Sequence, residues 1–323
     1  MLREVQPRAA LTPGHRVDLA RHLPGGGWAL AAFDGTVTVT DPVLTVERRV
    51  DLGMRIGDLR VACDGTWAWV GDSGLWTGTP EKPRPGPERT EAVLWTGGGL
   101  WTARTGEEVA VELRDPDFGV LAAASLPERY GGSGAWLHPH PDPGTVVLWT
   151  AGPVWAGSEA HVVTRDGDRL RVEPIPFENP DPPVFLPGGG ELLVALPDLL
   201  RVSWPGGSEL ARLPWTDISP DPKDERPTRD LWLLPGGKAA WGSYSRRVRI
   251  VDLATMTVEA EVVLAGHPVR TFSAFHAVPG IGSPHGDLSG FTVGGAGVLS
   301  VHHHREALLS DAADWAGQPA VAS

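Results

Sequence analysis

The chain of 323 residues lacks several features that would assign it to particular classes of protein. Its one cysteine, Cys63, has no partner for an internal disulfide, which suits a reducing compartment. No apolar run approaches the roughly 18 residues that span a bilayer, and the first residues, MLREVQPRAALTPGHR, lack the basic and then apolar pattern of a secretory signal. We therefore expect a cytoplasmic protein with no membrane partner.

Basic charge is also scarce. The sequence has 28 lysines and arginines against 40 aspartates and glutamates, which gives a net charge of -12. Proteins that bind nucleic acids gain most of their affinity from clustered basic side chains. Nucleic acid is therefore not an expected partner, while a hydrophobic fraction of 41% is enough for a large folded core.

Residues 228–264 contain four runs rich in β-branched and aromatic residues. These runs are Thr228–Leu234, Ala239–Tyr244, Val248–Leu253 and Val258–Leu264. In the last run apolar residues alternate with glutamates, which is typical of a strand with one buried face. Four antiparallel strands within about 40 residues make up one propeller blade.

The turn between the first and second strands of this unit recurs along the chain at an average spacing of about 42 residues. It is found at Gly25, Asp64, Gly97, Pro143, Gly188, Gly236 and Gly280. Seven turns predict an all-β fold, a seven-bladed β-propeller of four-stranded antiparallel blades. Blade two lacks a convincing fourth strand.

The last blade, residues 270–306, shows only three strands. Because an unpaired sheet edge promotes aggregation, we expect the N-terminal strand near Leu2 to Leu11 to close this blade. The predicted domain is residues 1–306, followed by a flexible alanine-rich tail at 307–323.

The stretch LPGGKAAWGSYSRRVRIVDLATMTVEAEVVLAG, from Leu234 to Gly266, resembles a unit of the YVTN and WD-repeat-like seven-bladed propellers. The Gly-His and Trp-Asp dipeptides of typical WD repeats do not recur as a regular set. The resemblance implies the fold and no particular activity, since propellers carry binding, hydrolytic, lyase and oxygenase functions on one architecture.

Two motifs suggest chemistry but have simpler interpretations. GDSG at 71–74 matches the nucleophile motif of serine proteases, yet it falls between two strands, where these residues form turns. His302 and His304 are predicted on the third strand of their blade and His276 on the first, so they cannot share a metal. We expect no metal and no cofactor.

Fourteen tryptophans are the main compositional excess, and most fall within strands, where they are expected to pack between blades. Trp155 and Trp215 lie beside loops and are expected to be exposed. Residues 215–230 form the longest insertion, which is either a solvated linker or a recognition loop. Loops at the same end of the blades predict one binding rim: Arg129, Tyr130, Trp155, Trp215, Arg229, Tyr244 and Arg270.

The leading hypothesis is a monomeric, non-catalytic scaffold that binds a protein or small-molecule partner through this rim. The alternative is a propeller enzyme, a lyase, hydrolase or cyclase of a biosynthetic pathway, with its site at the mouth of the channel. A purely structural domain is a third possibility. The channel-mouth candidates are Arg60, His138, Asp230, His276 and again Arg270.

Overall fold

The computed structural model describes most of the chain. It does not describe residues 128, 130–133, 153–156, 197, 218–226, 244–247, 265–287, 303 and 319–323, and it describes only the backbone of 227–230, 243 and 288–290. Within the described part the strands form seven sheets. The predicted seven-bladed β-propeller is confirmed.

Two short strands open the chain, β1 (Leu2–Val5) and β2 (Ala9–Leu11). The first blade that follows them contains β3 (Leu19–His22), β4 (Trp28–Ala31), β5 (Thr36–Thr40) and β6 (Val46–Asp51). The second contains β7 (Ile56–Val61), β8 (Trp67–Gly71), β9 (Gly74–Thr79) and β10 (Lys82–Pro85). The fourth strand that was unclear in the sequence is thus β10, a short and fully exposed edge strand.

The third blade contains β11 (Ala92–Thr96), β12 (Gly99–Arg104), β13 (Glu108–Arg114) and β14 (Val120–Pro127). The fourth contains β15 (Gly134–Pro139), β16 (Thr145–Ala151), β17 (Ser158–Asp166) and β18 (Arg169–Pro174). The fifth contains β19 (Val184–Phe185), β20 (Glu191–Ala195), β21 (Leu199–Ser203) and β22 (Glu209–Leu213). A single 3-10 turn follows at Trp215–Asp217.

The sixth blade contains β23 (Pro227–Leu234), β24 (Lys238–Ser243), β25 (Val248–Asp252) and β26 (Thr257–Leu264). These bounds match the four runs predicted from the sequence. The turn between β23 and β24 requires glycine, because Gly236 and Gly237 both have φ near +70°.

The seventh blade contains β27 (Leu288–Gly294), β28 (Gly297–His302) and β29 (Glu306–Asp311), and helix α1 (Ala312–Ala316) follows. Strand β2 pairs antiparallel with β29, so an N-terminal strand closes the blade as predicted. Strand β1 was not predicted separately. It pairs in parallel with β26 as a fifth strand of the sixth blade.

Three predictions for this region are wrong: the position of a turn, the strand of two histidines and the flexible tail. The turn between β27 and β28 lies after Gly294 and not at Gly280, which falls outside the described residues, so the blade ends later than residue 306. His302 is therefore on the second strand and His304 in the turn that follows. Residues 307–317 are not a flexible tail, because β29 and α1 are ordered elements with buried side chains.

The chain divides into two compact units: residues 1–51, 195–201 and 210–323 form one, and residues 52–194 and 202–209 form the other. In the first unit, β27 lies beside both β23 and β3. In the second, β11 lies beside both β7 and β15. In both units, therefore, the first strands of successive blades are neighbours, as in a propeller where they surround the axis.

The cores lie between adjacent blades. In the second unit Trp101, Val111 and Leu137 belong to one buried cluster that joins the third and fourth blades. In the first unit Ile250 and Phe291 share a cluster with Trp315 of α1. The expectation that strand tryptophans pack between blades is confirmed for Trp28 and Trp101, which belong to clusters that join adjacent blades. Other strand tryptophans with almost no exposed surface are Trp67, Trp69, Trp149 and Trp241.

Candidate functional site

A cavity of about 500 Å³ lies at one end of the fourth blade, where β17 begins and β18 ends. Its lining comes from the start of β17, the segment after β18 and one residue that precedes β15. The lining residues are Arg129, Ser158, Glu159, Ala160, His161, Pro174, Ile175, Pro176, Phe177, Glu178 and Asn179. All of them belong to the second unit.

The segment after β18 forms a wall fixed by backbone hydrogen bonds. The Ile175 N–H donates to the carbonyl of Ala160 at 2.9 Å, which continues the β17–β18 ladder past the last strand residue. The Phe177 N–H then donates to the carbonyl of Ile175 at 2.8 Å, which turns the chain. This wall is therefore held in place by the sheet.

A second set of hydrogen bonds fixes the far end of the wall. The Ser158 N–H donates to Asn179 Oδ1 at 3.1 Å, and the Ser158 hydroxyl donates to the carbonyl of Pro180 at 2.8 Å. The indole N–H of Trp149 donates to the same carbonyl, also at 2.8 Å. Asn179 has φ of 53°, a left-handed conformation that asparagine tolerates better than most residues.

An ion pair lies at the cavity. Arg129 Nη1 is 2.7 Å from Glu159 Oε1, with 67% of the arginine side chain and 21% of the glutamate side chain exposed. Glu178 adds a second, exposed carboxylate to the lining. The charged side chains of the lining are thus one arginine and two glutamates.

His161 is the titratable residue of the lining that is most affected by burial. Burial lowers its pKa from the ordinary 6.5, while nearby Glu159 raises it and Arg129 lowers it to smaller extents. Its Nδ1 atom is buried and has no hydrogen-bond partner among the described residues. The ring is therefore uncharged at neutral pH and contributes no positive charge to the cavity.

Of the predicted rim residues, Arg129 is the one that the structure places in this cavity. Tyr130, Trp155, Tyr244 and Arg270 lie outside the described residues, and so does His276 of the channel-mouth set. Arg229 and Asp230 lie in β23, where only the backbone is described. The rim as a whole therefore stays a prediction.

Trp215 differs from the sequence-based expectation, because only 5% of its surface is exposed. Its ring packs against Trp241, and the guanidinium of Arg249 lies 5.2 Å from its centroid. Its backbone N–H donates to Asp198 Oδ1 at 3.0 Å. The expectation of an exposed ring was wrong because these partners, which are distant in sequence, cover it.

Arg60 and His138 of the channel-mouth set lie on the first strands of their blades, β7 and β15. Arg60 reaches the neighbouring strand β11, where its Nε donates to the carbonyl of Val93 at 3.3 Å, and its Nη2 is 3.7 Å from Asp58. His138 is half-buried and lies opposite Val147 of β16.

Sequence analysis missed Glu159, His161, Phe177 and Asn179. The alternation in β17 carried a usable signal, because Ser158 and Ala160 are buried while Glu159 and His161 are half-buried on the opposite side. The cavity could have been located from Glu159 and His161, which are two polar residues on one face of a strand next to a loop.

Across the described residues, no three histidine, cysteine, aspartate or glutamate side chains lie together in a way that could hold a metal ion. The GDSG motif forms the predicted turn, with Asp72 and Ser73 between β8 and β9. The described part of the chain also contains no helix with the length and apolar character needed to cross a membrane.

Neither a protein-family model nor a curated protein sequence matches the chain. Its fold does match solved structures. One is the computationally designed Ika8 protein, a designed propeller, with a TM-score of 0.58 and 10% identity over 96% of this chain and 99% of that one. At this identity the likeness concerns the fold alone. It agrees with the β-propeller fold whose seven blades are the seven sheets of this chain.

Proposed function

We propose that this protein is a non-catalytic binding scaffold that holds a protein or small-molecule partner at the loop-bearing end of its blades. The observation that carries the proposal is the cavity beside Arg129. Its volume of about 500 Å³ falls within the ~300–1,000 Å³ typical of ligand pockets. Arg129 also belongs to the rim that the sequence predicts on independent grounds.

The fixed wall of the cavity supports this proposal. Residues 175–180 are held by hydrogen bonds to β17 and to the buried Trp149, so little conformational entropy is lost when a ligand contacts them. Phe177 and Ile175 offer apolar surface, while Arg129 and Glu159 offer hydrogen-bonding groups. Six of the eleven lining residues are polar or charged, so the cavity suits a ligand that has hydrogen-bonding groups as well as an apolar portion.

The remaining expectations accompany this proposal. The blade-six pattern favours kinship with the YVTN and WD-repeat-like propellers, and the composition favours a cytoplasmic monomer that binds neither nucleic acid nor membrane. Of the other predicted rim residues, Tyr130 and Trp155 are proposed to contact this partner, while Arg229, Tyr244 and Arg270 stay proposed binding residues of the first unit. Because Trp215 is buried, its proposed role is structural, within the first unit.

A ligand screen with two arginine variants tests the proposal. A mixed panel of small amines, acids, sugars and short peptides is screened by saturation-transfer NMR against the wild type, Arg129→Ala and Arg171→Ala. Arg171 is a matched control because it is also an exposed arginine in an ion pair, 3.3 Å from Glu173 in the same blade, yet it does not line the cavity.

We expect Arg129→Ala to change the affinity of wild-type ligands at least about tenfold, with weaker binding of acids and tighter binding of amines, because it removes a positive charge that pairs with Glu159. Arg171→Ala should bind the same ligands normally. Equal binding to all three proteins, or no binding at all, would overturn the proposed site. Conversion of a bound ligand into product, abolished by Arg60→Ala or His138→Ala, would favour the enzyme alternative instead.

A further inference from the structure

The cavity beside Arg129 has a charge balance that selects among ligands. We propose that it binds a small organic cation, a protonated amine with an apolar portion, with the ammonium at Glu159 and Glu178 and the apolar portion against Phe177. This inference rests on the proposed function and assigns the chemical class of its ligand.

Arg129 is the single positive side chain among the described lining residues, and its guanidinium is already paired with Glu159 at 2.7 Å. An anionic ligand would have to compete with that carboxylate for Arg129 and would also approach Glu178. Each like-charge approach in a partly enclosed site is costly, so the lining disfavours anions.

The described lining residues include one arginine and two glutamates, which give a net charge of -1, because burial favours the neutral form of His161. A cationic ligand makes this balance zero, whereas a neutral ligand leaves one carboxylate uncompensated. The protein as a whole carries -12, which also raises the local concentration of cations and speeds their association.

The lining also offers apolar surface. Ile175 is buried between the exposed Pro174 and Pro176, and Phe177, which follows them, is half-buried. An ammonium is attracted to the face of an aromatic ring as well as to carboxylates, and an alkyl or aryl group gains from burial against the ring. An amine with a short apolar substituent can therefore contact both the carboxylates and the apolar surface at Phe177. An inorganic cation can contact only the carboxylates.

Three probes that differ in one functional group test the charge preference directly. 2-Phenylethylamine, 2-phenylethanol and phenylacetate share a phenyl ring and a similar length, and at neutral pH they are cationic, neutral and anionic. Their binding is titrated by saturation-transfer NMR against the wild type, the double variant Glu159→Gln/Glu178→Gln and the control Glu173→Gln. Glu173 is a partly exposed glutamate of the same blade that does not line the cavity.

We expect the wild type and Glu173→Gln to bind the amine at least about tenfold more tightly than phenylacetate, a difference of about 1.4 kcal/mol. The double variant leaves Arg129 as the only charge among the described lining residues, so its preference should reverse toward phenylacetate. We also expect unchanged thermal melting of the double variant, because Glu178 is exposed and Glu159 pairs with the exposed Arg129. This measurement serves as the control that the fold is retained.

The opposite outcomes separate this inference from the proposed function. If the wild type prefers phenylacetate and Arg129→Ala abolishes that binding, the cation inference is wrong while the cavity remains a binding site. An amine preference that persists in the double variant would place the amine elsewhere and overturn the inference. If none of the three probes binds at millimolar concentration, the inference is also wrong, and the mixed panel decides whether the cavity binds anything.

Discussion

The indole ring of Trp215 meets that of Trp241 edge to face, with ring centroids 5.3 Å apart and planes at 73°. The guanidinium of Arg249 lies over the same ring, and all three side chains are buried. Trp215 thus joins the 3-10 turn after the fifth blade to two strands of the sixth.

Replacing Trp215 with alanine should therefore lower the free energy of unfolding by about 3–5 kcal/mol, the usual cost of removing a buried tryptophan. Urea unfolding followed by circular dichroism measures it. Trp76→Ala is the control, since that ring is only half-buried, and it should cost less than half as much. If the Trp215→Ala protein were as stable as the wild type, the result would favour the exposed ring that the sequence suggested.

Removing the first strands tests how the N-terminus closes two blades. Deletion of residues 1–6 removes β1 and the burial of Val5, which contributes about 1.5–3 kcal/mol. Deletion of residues 1–12 also removes β2 and leaves β29 as an unpaired edge, so it should cost more and cause self-association. Urea unfolding and sedimentation measure both effects, and equal stability of the two deletions would contradict a structural role for β2.

The C-terminal helix provides another test. Trp315 is 1% exposed and its ring centroid lies 5.4 Å from that of Phe291, while its carbonyl accepts a hydrogen bond from Arg3 Nη1 at 2.5 Å. Trp315→Ala should thus cost about 3–5 kcal/mol. Deleting residues 319–323, for which a flexible tail stays our expectation, should leave the unfolding midpoint unchanged. If Trp315→Ala left the free energy of unfolding unchanged, α1 would not be part of the folded core.

Three histidines should make the stability depend on pH. Burial lowers the pKa values of His22, His140 and His161 from the ordinary 6.5, so the folded state favours their neutral forms. Their contribution to the free energy of unfolding is fully present above 6.5, the pKa of an unfolded histidine. It is lost as the pH falls through the lower pKa values of the folded state, because the unfolded chain then binds more protons than the folded chain.

We accordingly expect a smaller free energy of unfolding at about pH 5.5 than at about pH 7.5, measured in urea at both pH values. His161→Gln should reduce the difference between the two measurements, and NMR titration of the imidazole protons should place the midpoint of His161 below its ordinary value. Greater stability at the acidic pH would contradict the burial of these rings.

Blades whose signals are local could be predicted well from the sequence. The sixth blade was located to within a residue or two because glycines with positive φ mark its first turn and apolar residues alternate along β26. The seventh was misplaced because residues 278–286, VPGIGSPHG, carry a stronger turn signal than the turn at Gly294 to Gly297 that separates β27 from β28. Parallel pairing of β1 with β26 has no local signal in the sequence at all.

Of the residues that line the candidate site, only Arg129 was predicted from the sequence. Arg129 was identified because it follows the last strand of a blade, where loops gather at one end of a propeller. Glu159 and His161 are strand residues, and their role depends on how the segment around Phe177 folds back over β17. The burial of Trp215 likewise depends on Arg249, more than 30 residues away in sequence.

The pairing of Leu11 with Ala307 has a consequence for how the protein forms during translation. A ribosome adds about 5–20 residues per second, so the segment that contains β2 must wait roughly 15–60 s before its partner β29 has been made. Strand β1 likewise waits for β26. During that interval the nascent chain presents the unpaired strands of its first residues to chaperones and to other chains, and the seventh blade can be completed only after synthesis has passed residue 311.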